Sequence, residues 1–197
     1  MDRKKNIRWN TLQITAAGFL GIILIGGVLL YLPASNTRPI AFADALFTSV
    51  TSVCVTGLVT VTPASQFTLF GKVILLILIQ IGGLGVIACA ALFFFLLRKR
   101  ITLRERVVLQ ETYGAEHLGG IVRLVRKVIF GTLAVEGGGA MLYMFRFVPE
   151  YGAVKGIWYS VFHAVSAFCN AGIDILGENS LADYAVDPIV NITTILL

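Results

Sequence analysis

The chain contains one short pattern twice, and this repeat restricts the folds open to it. Residues 47–57 read FTSVTSVCVTG and align without gaps with residues 162–172, which read FHAVSAFCNAG. The identical pairs are Phe47 and Phe162, Val50 and Val165, Cys54 and Cys169, and Gly57 and Gly172, while Thr51 and Ser166 match in chemistry. A repeated segment indicates a repeated structural unit. We predict that each copy is a short helix that runs into a loop, and that the backbone of the loop is the working surface.

The composition indicates the environment of these units. Of the 197 residues, 57% are hydrophobic and only 14% are charged, and the mean hydropathy is +0.85. A soluble domain of this size is less apolar and more highly charged, so we expect an all-α integral membrane protein. The net charge of +5 would also suit a nucleic-acid-binding protein. The basic residues lie beside apolar runs without a recognition motif, which favours membrane lipid as the partner and not nucleic acid.

Two long uncharged runs predict membrane-spanning helices. The first extends from Leu12 to Leu32, with Trp9 and Tyr31 where interfacial aromatic residues are expected. A helix needs about 20 apolar residues to cross a bilayer core of about 30 Å, and this run is too long for a signal peptide. The second run extends from Val73 to Leu97, and one span accounts for it. The glycines at 82, 83 and 85 in its middle mark either a flexible or pore-facing point or close helix packing.

Two shorter apolar segments cannot cross a membrane. Phe42 to Val53 and Gly156 to Phe168 fit re-entrant helices, which are tolerated where protein or a water-filled cavity satisfies the backbone that follows them. The second lies after a predicted span from about Val128 to Phe147, which we expect Pro149 to end. The final segment, Pro188 to Leu197, reaches only about 15 Å as a helix, half of a crossing. We therefore expect the chain to stop inside an element.

These segments define four regions. We predict a cytoplasmic N-terminus at 1–11, a first unit of helix, re-entrant helix, loop and helix at 12–97, a basic cytoplasmic linker at 98–127 and a second, incomplete unit at 128–197. The positive-inside rule places the two basic regions on the same side of the membrane. The outer loop of the second unit carries Asp174, Glu178, Asp183 and Asp187. These acids either draw cations toward a pore mouth or form a solvated surface.

Repeated units of this kind can build an ion-selectivity filter, in which backbone carbonyls replace the hydration shell of an ion. Glycine adopts the required backbone conformations at little cost. A re-entrant helix that enters from outside directs its C-terminal end, with about half a negative charge, toward the membrane centre and favours a cation there. The candidate carbonyls are those of Cys54, Val55, Thr56, Gly57, Cys169, Asn170, Ala171 and Gly172.

Several other residues have two possible roles. Glu136 is costly within a span, so it either bonds to a neighbouring helix or lies on the ion path. A lone histidine such as His163 is more often a packing residue than a ligand. Cys54, Cys89 and Cys169 show no paired spacing, which disfavours a disulfide framework or a zinc site. Because the sequence shows no nucleophile with a matching base, no phosphate loop and no metal-ligand spacing, we predict neither an enzyme nor a cofactor.

The chain resembles the Trk/Ktr/HKT superfamily of potassium transporters in three motifs. These are TSVCVTGL at 51–58, QIGGLG at 80–85 and SAFCNAG at 166–172. The resemblance implies potassium as substrate, a multi-pass position in the cell membrane, and four potassium-channel-like units around one pore with one filter glycine each. It also implies a homodimer and a cytosolic nucleotide-binding ring that gates the pore. Glycine at position 57 is the pattern associated with potassium preference.

The chain holds fewer units than this superfamily uses, which leaves three hypotheses. The first is the N-terminal portion of a potassium-translocating subunit, without the third and fourth filter loops. The second is a half-size subunit that conducts only as an oligomer. The third is a non-conducting membrane interaction subunit.

Overall fold

The computed structural model describes residues 11–85 and 121–197. Within these stretches the chain is helical or irregular, with a single isolated β-bridge between Asn36 and Phe67. The all-α prediction is confirmed for this part of the chain. The N-terminus at 1–10, most of the basic linker and Cys89 lie outside the described residues.

Seven α-helices make up the described part of the chain. They are α1 (Thr11–Tyr31), α2 (Phe42–Cys54), α3 (Pro63–Gln66), α4 (Leu69–Leu84), α5 (Ile121–Tyr151), α6 (Ala153–Phe168) and α7 (Pro188–Leu196). Short 3-10 turns lie at Pro33–Ser35 and Ala182–Tyr184. By length and composition, two of the described helices suit a membrane crossing, over Gln13–Tyr31 and Arg123–Tyr151.

The helix α1 matches the first predicted span to within one residue at each end. It ends ahead of Pro33, as expected because proline disfavours helical backbone at the residue before it. The two short helices, α2 and α6, also lie where the sequence predicted them. α2 extends one residue beyond the expected end at Val53, and α6 begins three residues before the expected Gly156.

The helix α4 differs from its prediction at both ends. It begins at Leu69 rather than Val73, because the Thr68 side chain caps it by accepting a hydrogen bond from Gly71 N at 3.3 Å. It ends at Leu84, since Gly85 adopts a φ of +85°, outside helical space and accessible to glycine. Of the span predicted from Val73 to Leu97, the part that the structure describes is helical as far as Leu84, and 86–97 lie outside the described residues.

The prediction that Pro149 ends the third span is also wrong. α5 continues through it to Tyr151. A proline in the last turn removes only one helical hydrogen bond, so the helix survives it at this position. The chain turns at Gly152, where φ is +79°, and enters α6 directly.

The helices pack as two groups joined by α4. α1 packs on α2 and both contact α4, while α5 packs on α6 and α7, and α4 also contacts α6. One buried cluster combines Leu75 and Ile79 of α4 with Phe162 of α6. A second contains Tyr143 and Phe147 of α5. α4 therefore holds the two copies of the repeat against each other.

A polar cluster at the C-terminal end of α5 fixes the start of α7. Arg146 Nε donates to Asp187 Oδ2 at 2.7 Å, and its Nη1 lies 3.0 Å from Glu150 Oε2. Asp187 also accepts hydrogen bonds from the backbone N–H groups of Ile189 and Val190, which cap α7. The hydrogen bond from the Val190 amide has the largest effect on the pKa of the Asp187 carboxyl and holds it below its usual value. The hydrogen bond from Arg146 lowers this pKa further.

Candidate functional site

The two loops that follow α2 and α6 turn in the same way over their first residues. We call residues 55–62 the first loop and residues 169–181 the second loop. Val55 and Asn170 occupy equivalent repeat positions, and both lie in the left-handed region, with φ values of 56° and 55°. Gly57 and Gly172 are also equivalent, with φ values of 72° and 64°. The sequence repeat is therefore a repeat of backbone conformation.

A matching backbone hydrogen bond closes each loop onto its helix. Thr56 N donates to Thr51 O at 3.0 Å, and Ala171 N donates to Ser166 O at 2.8 Å. Both bonds join the same pair of repeat positions. Each bonds to a carbonyl in the last turn of the helix, where helical partners run out. The Thr51 carbonyl also accepts from Val55 N, so it has two donors.

A side-chain hydroxyl braces each loop one step further on. Leu58 N donates to Thr51 Oγ1 at 2.9 Å, and Ile173 N donates to Ser166 Oγ at 3.2 Å. In both loops the donor is the residue that follows the glycine. We call these two contacts the hydroxyl braces. Thr51 and Ser166 are buried, so the packing around each side chain restricts its motion and fixes the hydroxyl that bonds to the loop.

The two loops meet at their glycines. A Cβ built on Gly57 would lie 3.0 Å from the carbonyl oxygen of Ala171 and 3.4 Å from Gly172 Cα. A Cβ built on Gly172 would lie 3.3 Å from Gly57 Cα. A side chain at Gly57 would therefore press on the other loop. The structure brings these two predicted site residues into contact although they lie far apart in the sequence.

The other predicted site residues lie around this contact. Cys54 is the last residue of α2, and Cys169 follows α6 in right-handed backbone. These two cysteines form no disulfide in the described ranges. Ala171 is buried, whereas the Thr56 and Asn170 side chains are exposed. In residues 11–85 and 121–197 no group of three or more histidine, cysteine, aspartate or glutamate side chains could hold a metal ion.

The glycines of α4 lie against both copies of the repeat. A Cβ on Gly82 would collide with the carbonyl oxygen of Val53 near the end of α2, and a Cβ on Gly83 would collide with Cys169 Sγ. Gly85 has no such neighbour within 4 Å among the described residues and instead has a positive φ. Close packing therefore explains the first two glycines, and the backbone conformation that ends α4 explains the third.

Glu136 bonds to a neighbouring helix. Gln80 Nε2 of α4 donates to Glu136 Oε1 of α5 at 2.9 Å, and the glutamate is only 5% exposed. The sequence left two roles open for Glu136, a bond to a neighbouring helix or a place on the ion path, and the structure contains the first. The pair therefore links α4, which contacts both copies of the repeat, to α5.

The reasoning from sequence missed two features of the loops. It did not identify the hydroxyl braces, although the match of Thr51 with Ser166 was a usable signal. It also missed the left-handed backbone at Val55, because a β-branched residue is unfavourable there. The alignment of Val55 with Asn170 carried that information, since asparagine tolerates this conformation.

Comparison with known proteins identifies relatives over nearly the whole chain. The family TrkH, described as a cation transport protein, matches residues 5–197. The Ktr system potassium uptake protein B of Bacillus subtilis is 42% identical, over 98% of this chain and 43% of the relative. The potassium/sodium uptake protein NtpJ of Enterococcus hirae is 41% identical, over 93% of this chain and 41% of the relative.

A third relative, the Ktr system potassium uptake protein B of Vibrio alginolyticus, is 37% identical over 92% of this chain and 40% of its own length. These relatives are transporters rather than enzymes. The chain spans about two fifths of the length of the relatives it matches.

Proposed function

This chain belongs to the TrkH family of cation transport proteins, and from that premise we propose that it supplies two loops of a potassium uptake pathway. It is a membrane protein, as its apolar helices and its relatives agree. Potassium is the ion named for all three relatives described above, and sodium is named beside it for one of them. We therefore take potassium as the main substrate and sodium as the competitor to test.

The contact between Gly57 and Gly172 carries the proposal. Two loops with the same left-handed turns approach each other through backbone alone, at the positions that lack side chains. Such an arrangement leaves main-chain oxygens as the groups available to a passing ion. Rings of backbone carbonyls are how cation filters replace a hydration shell.

In the proposed mechanism the carbonyls of residues 54–57 and 169–172 bind the dehydrated ion in turn. The α2 and α6 helices both end where the loops begin, so their C-terminal ends lie beside the proposed filter. The end of a helix carries about half a negative charge. This charge favours a cation and disfavours an anion at the filter. The hydroxyl braces hold the loops so that carbonyl spacing, rather than side-chain motion, determines which cation fits.

We extend the proposal to topology and partners on the basis of charge and family resemblance. The basic N-terminus and the linker at 98–127 would lie in the cytoplasm, and α2 and α6 would enter the membrane from outside as re-entrant helices. Two further units would complete the pore. A homodimer and a cytosolic nucleotide-binding ring are the proposed assembly, with the linker facing the ring.

Substitution of Gly57 tests the filter role. Gly57→Asp places a carboxylate where a Cβ already meets the opposite loop, so we expect potassium uptake to be lost. Gly57→Ser is the milder variant, and we expect it to lower the preference for potassium over sodium. Uptake of both ions is measured in cells that lack their own potassium uptake systems, with the chain completed by the C-terminal portion of a relative.

Gly21→Ala is the matched control, because a Cβ at Gly21 meets nothing within 4 Å in the described structure. The amount of each variant in the membrane fraction is measured in parallel. Wild-type potassium uptake by a correctly inserted Gly57→Asp variant would disprove the filter assignment.

A further inference from the structure

A cavity lies beside the second loop and is lined by residues of α6, of the loop and of α7. It has a volume of about 170 Å³. Its polar lining comes from His163, Ser166, Asn170, Asp174, Ser180 and Thr194. A water molecule occupies about 30 Å³ in the liquid, so the cavity has room for several.

His163 forms part of the wall of this cavity and is 5% exposed. Neither of its ring nitrogens has a hydrogen-bond partner in the described part of the chain. Tyr143 and Phe147 hold the ring in place at centroid distances of 4.9 and 6.3 Å. A neutral imidazole has one donor and one acceptor, and leaving both unused in a protein interior costs free energy.

The cavity supplies the partners that a bound water needs. Asp174 accepts hydrogen bonds from Leu176 N and from the Ser180 hydroxyl, and each carboxylate oxygen retains a further lone pair. The Thr194 hydroxyl donates to Val190 O and also contacts the Tyr143 hydroxyl. Buried waters typically make two to four hydrogen bonds, and these oxygens provide them. Both ring nitrogens of His163 have less than 1 Å² of accessible surface, so the ring must turn toward the cavity for the imidazole to bond to a water.

The cavity is particular to the second copy of the repeat. The residue equivalent to His163 is Thr48, whose hydroxyl donates to Asp44 O at 2.7 Å. The residue equivalent to Asp174 is the apolar Val59. The filter chemistry shared by both loops therefore does not require the imidazole, which points to a role in the second loop alone.

We propose that this cavity binds a small cluster of water molecules and that His163 is a positioning residue that fixes the second loop through them. Water binding would draw the ring toward the cavity and connect it to the rear of the loop at Asn170 and Asp174. His163 precedes Ser166 by one helical turn, so the water cluster and the hydroxyl brace act on the loop together. The functional consequence rests on the proposed filter role of the second loop.

The first test detects the water in the wild-type chain, purified in detergent micelles. Brief X-ray radiolysis in ¹⁸O-labelled water oxidises side chains that touch bound water, even when they are buried. We expect His163 to be labelled several-fold more than Phe162, its neighbour on α6, which is fully buried in the apolar core. Equal, background labelling of the two residues would overturn the proposal.

The second test uses two substitutions. His163→Phe keeps an aromatic ring between Tyr143 and Phe147 but binds no water, whereas His163→Gln keeps a donor and an acceptor. If the cavity binds water, we expect the melting temperature of His163→Phe to equal that of the wild type or to fall below it. We also expect amide hydrogen exchange at Ile173 to become roughly tenfold faster in this variant. We expect His163→Gln to restore most of that protection.

The opposite pattern would reject the water site. If the imidazole were merely an unpaired packing residue, His163→Phe would raise the melting temperature and leave exchange at Ile173 unchanged. Thr48→Val is the matched control in the first copy, and exchange at Ile173 should not respond to it. None of these measurements depends on ion flux, so their outcome is independent of the Gly57 uptake experiment.

Discussion

Residues in the left-handed region of backbone space give both loops their shape. Val55 and Asn170 have nearly the same φ at equivalent positions, but the two side chains differ in how well they suit it. A β-branched residue is an outlier in this region, whereas asparagine is enriched there. The first loop therefore holds more local strain than the second. Strain of this kind persists where the surrounding contacts enforce it, and here the hydroxyl brace at Thr51 is one such contact.

Asn170→Val measures the cost of this conformation. Asn170 is exposed, so the substitution removes little packing and mainly changes the backbone preference. We expect a loss of stability of about 1–2 kcal/mol, the cost of left-handed backbone for an ordinary residue. The measurement is thermal unfolding of the chain in detergent micelles. Asn170→Gly is the control and should stay near wild type, and an Asn170→Val variant with unchanged stability would show that the loop relaxes.

At the scale of elements, α4 is the part on which both loops depend. Gly82 lies against the end of α2 and Gly83 against Cys169, so two neighbouring residues of one helix set the distance between the two copies of the repeat. The bond from Gln80 to Glu136 adds a polar contact between α4 and α5. Small residues allow helices to approach closely in lipid, where packing rather than hydrophobic burial drives association.

Alanine at Gly82 should therefore be more harmful than alanine at an open glycine. The new Cβ of Gly82→Ala would meet the backbone of Val53, which cannot rotate away. Overpacking of this kind costs about 1–3 kcal/mol. Gly21→Ala, with nothing within 4 Å, should be neutral or stabilising by up to about 1 kcal/mol through helix propensity.

Thermal unfolding of both variants in detergent micelles provides the comparison. Gly83→Ala should fall between them, because Cys169 Sγ belongs to a side chain that can shift. A Gly82→Ala variant as stable as Gly21→Ala would show that α4 does not set the spacing of the loops.

At the scale of the whole molecule, two loops in contact are half of the proposed filter. The chain spans about two fifths of its relatives' length, and the proposed pore needs two further units. Many apolar side chains on α1 and α5 are exposed in the described structure, including Ile25, Phe130 and Phe145. Lipid or the further units would cover these surfaces.

Complementation distinguishes a partial pore from a half-size one. We expect the chain alone not to support potassium uptake in cells that lack their own uptake systems, and the chain co-expressed with the C-terminal portion of a relative to restore it. Growth at low potassium and uptake of the ion are the measurements. Uptake by the chain alone that is lost in Gly57→Asp would instead support the half-size subunit that conducts as an oligomer.

The first long helix, both short helices and the glycine of each loop could be predicted from the sequence. These features depend on local properties: the length of an apolar run, the effect of Pro33 on the residue before it, and the conformations open to Gly57 and Gly172. Where a competing local signal intervened, as at Thr68 and Gly85 around α4, the predicted boundaries were wrong.

Which of these parts meet is seen only in the folded chain. The contact of Gly57 with Gly172, the fit of Gly82 and Gly83 against the two copies of the repeat and the packing of His163 on Tyr143 all join residues far apart in the sequence. Such contacts depend on how the helices pack, and side chains that pack closely look the same in a sequence as side chains that face lipid. The repeat therefore predicted two similar loops, while packing around α4 brought them together.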